Sequence, residues 1–228
     1  KGSARRPWED GRPLSAAEDP WTTVSASAEP FADGWHTPQA LDDAGLERVK
    51  GAFVQAAQRA VALGFEVLEL HAAHGYLLHQ FASPLANRRT DRYGGSLENR
   101  LRFPLEVARA VKAAVPAHVA VGARITGSDW HSEGVTVDEA VVFASALKEA
   151  GLHYACVTSG GITLGIKIPV GPDYQVPFAE HVRKRSGIVT RAVGLIVTPQ
   201  QAQAIVAEGR ADQVAIARGF LDDPRWGW

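Results

Sequence analysis

The sequence predicts an α/β protein built on a parallel sheet. Long helix-like segments alternate with short runs of strand length, and those runs are almost continuously apolar. This pattern is typical of a parallel sheet that is covered on its outer side by helices. Five strands are predicted. A doubly wound sheet fits that number, whereas a closed barrel of eight strands requires three more strands before Lys1.

The first part of the chain, from Lys1 to about Thr37, has no regular pattern. It is rich in Pro, Ser and Asp and contains Trp8, Trp21 and Trp35. So many aromatic residues argue against disorder, because large apolar rings favour burial. We expect residues 1–37 to form a long loop region packed on the rest of the protein, with a possible short hairpin.

A helix is predicted to follow this region. Thr37 and Pro38 fit its N-cap and its first helical position, and the apolar face continues to about Leu63. Gly64 then ends the helix.

Four further helices and five strands alternate after Gly64. The strands are predicted at 65–70, 118–125, 153–158, 188–193 and 212–217, and the helices at about 97–114, 136–150, 177–185 and 198–208.

Composition excludes several classes of function. The formal net charge of −1 argues against a nucleic-acid or membrane-surface role, and no apolar run approaches the roughly 18 residues that span a bilayer. The single cysteine, Cys156, excludes an internal disulfide, a Cys-rich zinc site and a four-Cys iron–sulfur cluster in these residues. We therefore expect a reducing, cytoplasmic setting. The chain contains no methionine and begins with Lys1, which suggests part of a longer product.

The most informative stretch is 69–78 (ELHAAHGYLL), which follows the first apolar strand. His71, His74 and Tyr76 lie where that strand turns into a loop, and in parallel α/β proteins catalytic groups gather at the C-terminal ends of strands. Two imidazoles can donate hydrogen bonds to an oxygen that gains negative charge, and a phenol can transfer a proton. A single histidine is more often structural, but three such groups together favour catalysis. A metal site lacks an obvious third ligand nearby.

Arg124 and the last two strand ends indicate a second kind of site. Arg124 ends an apolar strand, where a buried charge needs a partner: either a loop carboxylate such as Asp129, or an anion or electron-rich ring in a pocket. Gly194 and residues 217–221 (ARGFL) follow the last two strands, where barrels commonly bind phosphate. Arg218 adds a positive charge there. Ordinary tight turns with a surface arginine are the alternative.

Two other features read as structural. Residues 87–100 (NRRTDRYGGSLENR) are dense in charge and turn residues. We expect Asp91, Asn99 and the arginines to fix this loop by charge-assisted hydrogen bonds, with Ser96 as the N-cap of the next helix. Cys156 lies in an apolar strand and is expected to be packed and inert.

From about residue 38 onward the sequence resembles the Old Yellow Enzyme family of flavin-dependent ene-reductases. The motifs that carry the resemblance are ELHAAHGYL at 69–77, QFASP at 80–84, NRRTDRYGGSLENR at 87–100, VGARIT at 121–126, VTSGG at 157–161, AVGLI at 192–196, GRAD at 209–212 and AR at 217–218. No tyrosine replaces His71 and no glutamate replaces His74, and this pair of histidines resembles the bacterial NADPH-dependent branch of the family.

The resemblance implies a (β/α)₈ barrel that holds FMN and uses NADPH or NADH as reductant. It implies that His71 and His74 bind the substrate's carbonyl or nitro oxygen and that Tyr76 donates the proton. Arg124 would lie beside the flavin ring, and Gly194, Ala217 and Arg218 would form the phosphate site. The substrates would be small activated alkenes such as enones, enals, maleimides or nitro compounds, without nucleic-acid or membrane partners and with a possible homo-oligomer.

The family barrel begins with three βα units that would precede Lys1. The resemblance therefore assigns residues 38–228 to an incomplete (β/α)₈ barrel with about five C-terminal βα units, strands 4–8. Open strand edges are a liability for solubility. We expect this chain alone to bind FMN poorly, and an inert partial barrel is the alternative to an active reductase.

Overall fold

The alternation of apolar strands and amphipathic helices produces one parallel sheet of five strands. A computed structural model describes residues 2–6 and 8–227. A short 3₁₀ helix covers Ala16–Glu18. The other elements, in chain order, are β1 (Val24–Ser25), β2 (Gln39–Ala40), α1 (Asp43–Ala62), β3 (Val67–Ala72), α2 (Leu77–Ala82), α3 (Leu97–Ala114), β4 (Ala120–Thr126), α4 (Val137–Glu149), β5 (Tyr154–Thr158), α5 (Val176–Ser186), β6 (Val189–Ala192), α6 (Pro199–Ala207), β7 (Gln213–Val214) and α7 (Arg218–Asp222).

The strand order separates the two predicted architectures. The strands of the main sheet lie in chain order, β3-β4-β5-β6-β7, and each pairs in parallel with the next. A doubly wound sheet reverses its order at a switch point, and no reversal occurs here. Because parallel crossovers are right-handed, successive connections in one direction place every helix on the same face. The sheet is therefore wound as in a barrel.

The two faces of the sheet differ in composition. The helix-facing side chains form the main apolar core, together with the inner surfaces of α1 and α3–α6. The opposite, inner face carries Glu69, Gly122 and Tyr154, which pair in register, and Arg191 and Gln213, which pair one step further along the strands. Glu69 on β3 contacts Arg191 on β6 at 3.1 Å, although their backbones would be roughly 14 Å apart in a flat sheet. Curvature of the sheet towards its inner face brings the two side chains together.

The predicted start of the first helix at Thr37 is wrong. Asp42 is the N-cap and accepts a hydrogen bond from the amide of Gly45 at 2.7 Å, so α1 begins at Asp43. The segment before it is extended because β2 pairs in parallel with β1. A Thr-Pro pair is compatible both with the start of a helix and with an extended segment. Here the pairing of β2 with β1 selects the extended conformation. Gly64, at φ +87°, follows the helix as predicted.

The strands agree with the sequence except at their ends. The first strand of the main sheet runs from Val67 to Ala72 rather than over 65–70, so that His71 belongs to the strand. The last strand is reduced to Gln213–Val214 within the predicted 212–217.

The segment before α1 is irregular, as expected, with an antiparallel bridge between Ala4 and Pro13. Arg89 fixes this segment by donating from Nη1 to the carbonyl oxygens of Ala26 and Leu41, at 2.9 and 2.7 Å, while it pairs with Asp91. The loop of 87–100 is thus structural, as predicted. The division of the chain at residue 37 stays a prediction, and Lys1, Pro7 and Trp228 lie outside the described residues.

Candidate active site

Three chemically active side chains converge where β3 ends. The imidazole of His71 lies 5.2 Å from that of His74 and 5.1 Å from the ring of Tyr76, measured between ring centroids. Tyr76 immediately precedes α2 and is 51% exposed, so its phenol is accessible from solvent. The structure therefore brings together the three residues that the sequence proposed as catalytic. Their chemical roles stay predictions.

A strained turn presents two of these residues. His74 adopts a left-handed backbone conformation, φ +58°, which costs a residue with a side chain about 1–2 kcal/mol. Gly75 follows at φ +73°, and a Cβ there would lie 2.4 Å from the carbonyl oxygen of Gly161. The loops after β3 and β5 are therefore in direct backbone contact, and only glycine permits it.

His74 is also held by a buried hydrogen-bond chain. Its Nε2 lies 2.9 Å from the hydroxyl of Thr158 at the end of β5, and that hydroxyl lies 2.9 Å from Oε1 of Gln175. Ser159 donates to the same amide oxygen at 2.8 Å. This chain links the imidazole to the residue that precedes α5 and leaves the ring little rotational freedom.

Arg124 faces the inner side of the sheet, beside His71 in the register of β3 and β4. Its Nε is buried and has no hydrogen-bond partner within residues 2–6 and 8–227. The proposed ion pair with Asp129 is not formed, because the oxygens of Asp129 contact His79, Ser83 and the amide of Val135. A buried guanidinium nitrogen without a protein partner favours the other interpretation, a ligand in the adjoining pocket.

That pocket is a cavity of about 830 Å³ at the C-terminal ends of the strands. Arg124, Gly194, Ala217 and Arg218 all line it. The volume lies within the range of small-molecule and cofactor sites. Gly194 has φ +111°, and a Cβ there would lie 2.9 Å from Nε2 of Gln175. All four residues predicted to bind a cofactor thus border one space.

The irregular segment before α1 forms a further wall beside Tyr76. A second cavity of about 300 Å³ is bordered by Tyr76 together with Trp21, Phe31 and Trp35. Phe31 and Trp35 pack edge to face, with their centroids 5.0 Å apart. Trp21 and Trp35, two of the three tryptophans that argued against disorder, therefore border a cavity beside the candidate proton donor, whereas Trp8 is 78% exposed.

A polar layer, in which Tyr154 is buried and Glu69 and Arg191 are partly exposed, lies nearer the N-terminal ends of the strands. The guanidinium of Arg191, paired with Glu69, stacks over the ring of Tyr154 at 4.3 Å. Burial, reinforced by the negative charge of Glu69, raises the pKa of Tyr154 to about 12. The phenol consequently stays protonated, and this layer supports the site without supplying a base.

Cys156 is buried on β5, as expected of a packed thiol, and burial raises its pKa to about 12. The reactive thiolate is therefore scarce at neutral pH. We expect no labelling of the folded protein by iodoacetamide at about pH 8, and full labelling after denaturation, with mass spectrometry as the readout. Rapid labelling of the folded protein would contradict this burial.

Sequence reasoning missed Thr158 and Gln175 as neighbours of His74. The glycines that follow Thr158, Gly160 and Gly161, were the available signal, since paired glycines after a strand mark a close backbone approach. Within residues 2–6 and 8–227, no three His, Cys, Asp or Glu side chains form a metal-binding group. No helix in the same described part of the chain has the length and apolarity needed to cross a membrane.

The strand order and the cavity at the C-terminal ends of the strands define this chain as part of a (β/α)₈ barrel. Residues 8–227 match the model of the NADH:flavin oxidoreductase / NADH oxidase family, and the chain belongs to that family. The resemblance to Old Yellow Enzymes and the incomplete-barrel fold class are confirmed, and FMN with NAD(P)H is the family's cofactor pair.

Individual relatives agree with this assignment. An NADPH dehydrogenase of Geobacillus sp. (strain WCH70) is 45% identical over 203 residues, which are 89% of this chain and 59% of that protein. Morphinone reductase superposes with a TM-score of 0.74 at 32% identity. The match covers 91% of this chain and 59% of the morphinone reductase chain. A 2-naphthoyl-CoA reductase bound to 2-naphthoyl-CoA superposes with a TM-score of 0.82 at 26% identity. The match covers 89% of this chain and 32% of the reductase chain. The chain thus spans about three fifths of the curated relative's length.

Proposed function

We propose that the protein containing this chain is an FMN-dependent ene-reductase that reduces the activated C=C bond of α,β-unsaturated carbonyl or nitro compounds. The observation that carries the proposal is the convergence of His71, His74 and Tyr76 beside the cavity that Arg124 borders. Small substrates, a cytoplasmic location and a possible homo-oligomer belong to the same proposal.

The cavity residues fit a flavin phosphate and an electron-rich ring. Nε of Arg124 is a buried donor that no described protein group uses, and Arg218 adds a positive charge to the lining of the same cavity. The backbone at Gly194 can approach a ligand closely because it carries no side chain. When bound, FMN supplies the hydride chemistry, and the protein supplies orientation and electrostatics.

The histidines are placed to stabilise a substrate oxygen. Reduction at the β-carbon of an enone builds negative charge on the carbonyl oxygen, and two N–H donors there lower the barrier. His71 is fixed in the strand, and Thr158 holds His74 through Nε2. The hydroxyl of Thr158 donates its one proton to Oε1 of Gln175, so Nε2 of His74 is the donor to Thr158. His74 can therefore donate to a substrate oxygen from Nδ1 only as the imidazolium. Each donor of this kind contributes about 10²–10³-fold.

Tyr76 is the proposed proton donor to the α-carbon. It is the accessible phenol of the group, and its ring contacts His71. A proton from a phenol at this position would complete the saturation of the double bond.

The direct test uses the full-length protein and follows two half-reactions separately: reduction of the flavin by NADPH and its reoxidation by an enone. NADPH should bleach the yellow bound flavin without oxygen, and 2-cyclohexenone should restore the colour. A protein that takes up no FMN, or a reduced flavin that cyclohexenone leaves bleached, would overturn the proposal.

Replacing Arg124 by methionine should raise the dissociation constant of FMN by about 10–100-fold, because a buried charged hydrogen bond contributes about 1.5–3 kcal/mol. Titration of the apoprotein, followed by quenching of flavin fluorescence, measures the change. Arg185→Met is the matched control, since it removes the same charge from an exposed site on α5. Equal affinities in the wild type and the Arg124 variant would exclude a flavin contact.

An inert partial barrel is the second candidate for these 228 residues taken alone. Phe65 and Val67, next to and within the edge strand β3, are 59% and 52% exposed. Exposed apolar residues at an unpaired edge favour association over ligand binding. Size-exclusion chromatography and FMN titration of this chain distinguish the candidates: a monomer that binds FMN tightly contradicts the inert form.

A further inference from the structure

A buried pair of ionisable residues lies behind the candidate catalytic turn. His79 on α2 and Asp129 in the loop after β4 are each about 1% exposed, and Nε2 of the imidazole lies 3.1 Å from Oδ1 of the carboxylate. Neither belongs to the site as described above. Buried charges are expensive to maintain, so the contacts of this pair need a physical explanation.

The contacts of the pair fix the protonation of His79. Its Nδ1 accepts a hydrogen bond from the backbone amide of Gly75 at 2.9 Å, so this nitrogen carries no proton. The ring proton of the neutral imidazole is therefore on Nε2, which faces Asp129.

Asp129 is itself firmly held. Its Oδ2 accepts from the hydroxyl of Ser83 at 2.7 Å and from the amide of Val135 at 2.8 Å. Burial alone would raise the pKa of Asp129, but these donors and His79 outweigh burial, and the pKa lies below its usual value. The fixed carboxylate thus faces Nε2 of His79 at 3.1 Å and holds it by charge attraction, since the two atoms are not aligned as a hydrogen bond.

The acceptor nitrogen of His79 contacts the residue between two members of the proposed site. Gly75 connects His74 to Tyr76, and its carbonyl oxygen accepts from Nε2 of Gln80 at 2.9 Å. Side chains of α2 therefore bind both the backbone amide and the backbone carbonyl oxygen of Gly75. The left-handed backbone of His74 is strained, so it requires such external support.

We propose that His79, oriented by Asp129, is a positioning residue that holds the turn of Gly75 so that His74 and Tyr76 meet the substrate together. This role rests on the proposed function. The hydrogen bond from the Gly75 amide transmits the orientation of α2 to both groups. Displacement of catalytic groups by about 1 Å can cost 10²-fold in rate, so a contact outside the reacting atoms can matter.

Two substitutions separate this role from simple packing. In His79→Asn the amide oxygen takes the place of Nδ1 and can still accept from Gly75, whereas His79→Leu removes the acceptor. In the FMN-loaded full protein, we expect the leucine variant to be reoxidised by cyclohexenone about 10–100-fold more slowly, with reduction by NADPH changed less than about twofold. The asparagine variant should recover most of the rate.

Hydrogen exchange supplies a readout that does not depend on turnover. The amide of Gly75 should be protected in the wild type and the asparagine variant and should exchange faster in the leucine variant. Phe103→Leu, a substitution in the core on α3, controls for general destabilisation and should change neither half-reaction selectively.

The outcomes distinguish the two proposals. A wild type that cyclohexenone fails to reoxidise overturns the proposed function and, with it, the positioning role. If the wild type is reoxidised and His79→Leu matches it, or His79→Asn is as slow as His79→Leu, only the positioning role is overturned.

Discussion

Replacement of Tyr76 by phenylalanine is expected to slow reoxidation of the reduced flavin by cyclohexenone by about 10²–10⁴-fold, the usual contribution of a general acid. The substitution keeps the ring that contacts His71 at 5.1 Å and removes only the hydroxyl. Reduction by NADPH needs no proton from this phenol and should change less than about threefold. Stopped-flow absorbance of the flavin, without oxygen, measures both steps.

Tyr93→Phe is the matched control for this prediction. Tyr93 is buried in the loop of 87–100, and its hydroxyl contacts Glu106 at 3.3 Å, away from the candidate site. Its loss should lower stability slightly and leave both half-reactions unchanged. Equal slowing of reduction and reoxidation in the Tyr76 variant would contradict the role of proton donor.

Replacement of Gly75 by alanine should have a comparably large effect. The new Cβ would lie 2.4 Å from the carbonyl oxygen of Gly161, a distance that forces the two loops apart, and φ +73° adds strain of about 1–2 kcal/mol. Because the turn carries two of the proposed catalytic groups, we expect reoxidation by the enone to fall by about 10²-fold or more. Flavin kinetics and the thermal midpoint are the measurements.

Gly64→Ala separates strain from collision. Gly64 has a similar φ of +87°, but a Cβ there meets no atom within 4 Å. Its replacement should cost a similar amount of stability and leave the half-reactions unchanged. If both alanine variants retain wild-type kinetics, the contact between the two loops has no part in catalysis.

The sequence predicted the five long helices, the five strands of the main sheet and the convergence of the site residues, because each depends on local patterns and on the common direction of parallel strands. His71 and Arg124 lie side by side for that reason, at paired positions of β3 and β4. The short helices α2 and α7 and the pair of β1 with β2 were not predicted. The start of α1 could not be predicted in the same way. It depends on the pairing of β2 with β1, which no periodicity within the segment records.

The residues that support the candidate site could not be predicted for a different physical reason. Thr158 and His74 are 84 residues apart, and His79 and Asp129 meet only after α2 packs against the loop that follows β4. A histidine within an apolar helix gives no sign of which atom it will contact. Such long-range contacts depend on the tertiary structure, whereas the turn that carries His74 and Tyr76 can be predicted from the local sequence.

The ion pair of Glu69 and Arg191 also bears on how this protein folds. The two residues are 122 positions apart and belong to strands separated by two others, so they can meet only after β4 and β5 have been laid between them. Contacts with such large sequence separation slow folding, because the chain must lose much of its entropy before they form. We therefore expect the stacking of Arg191 over the ring of Tyr154 to form late in folding.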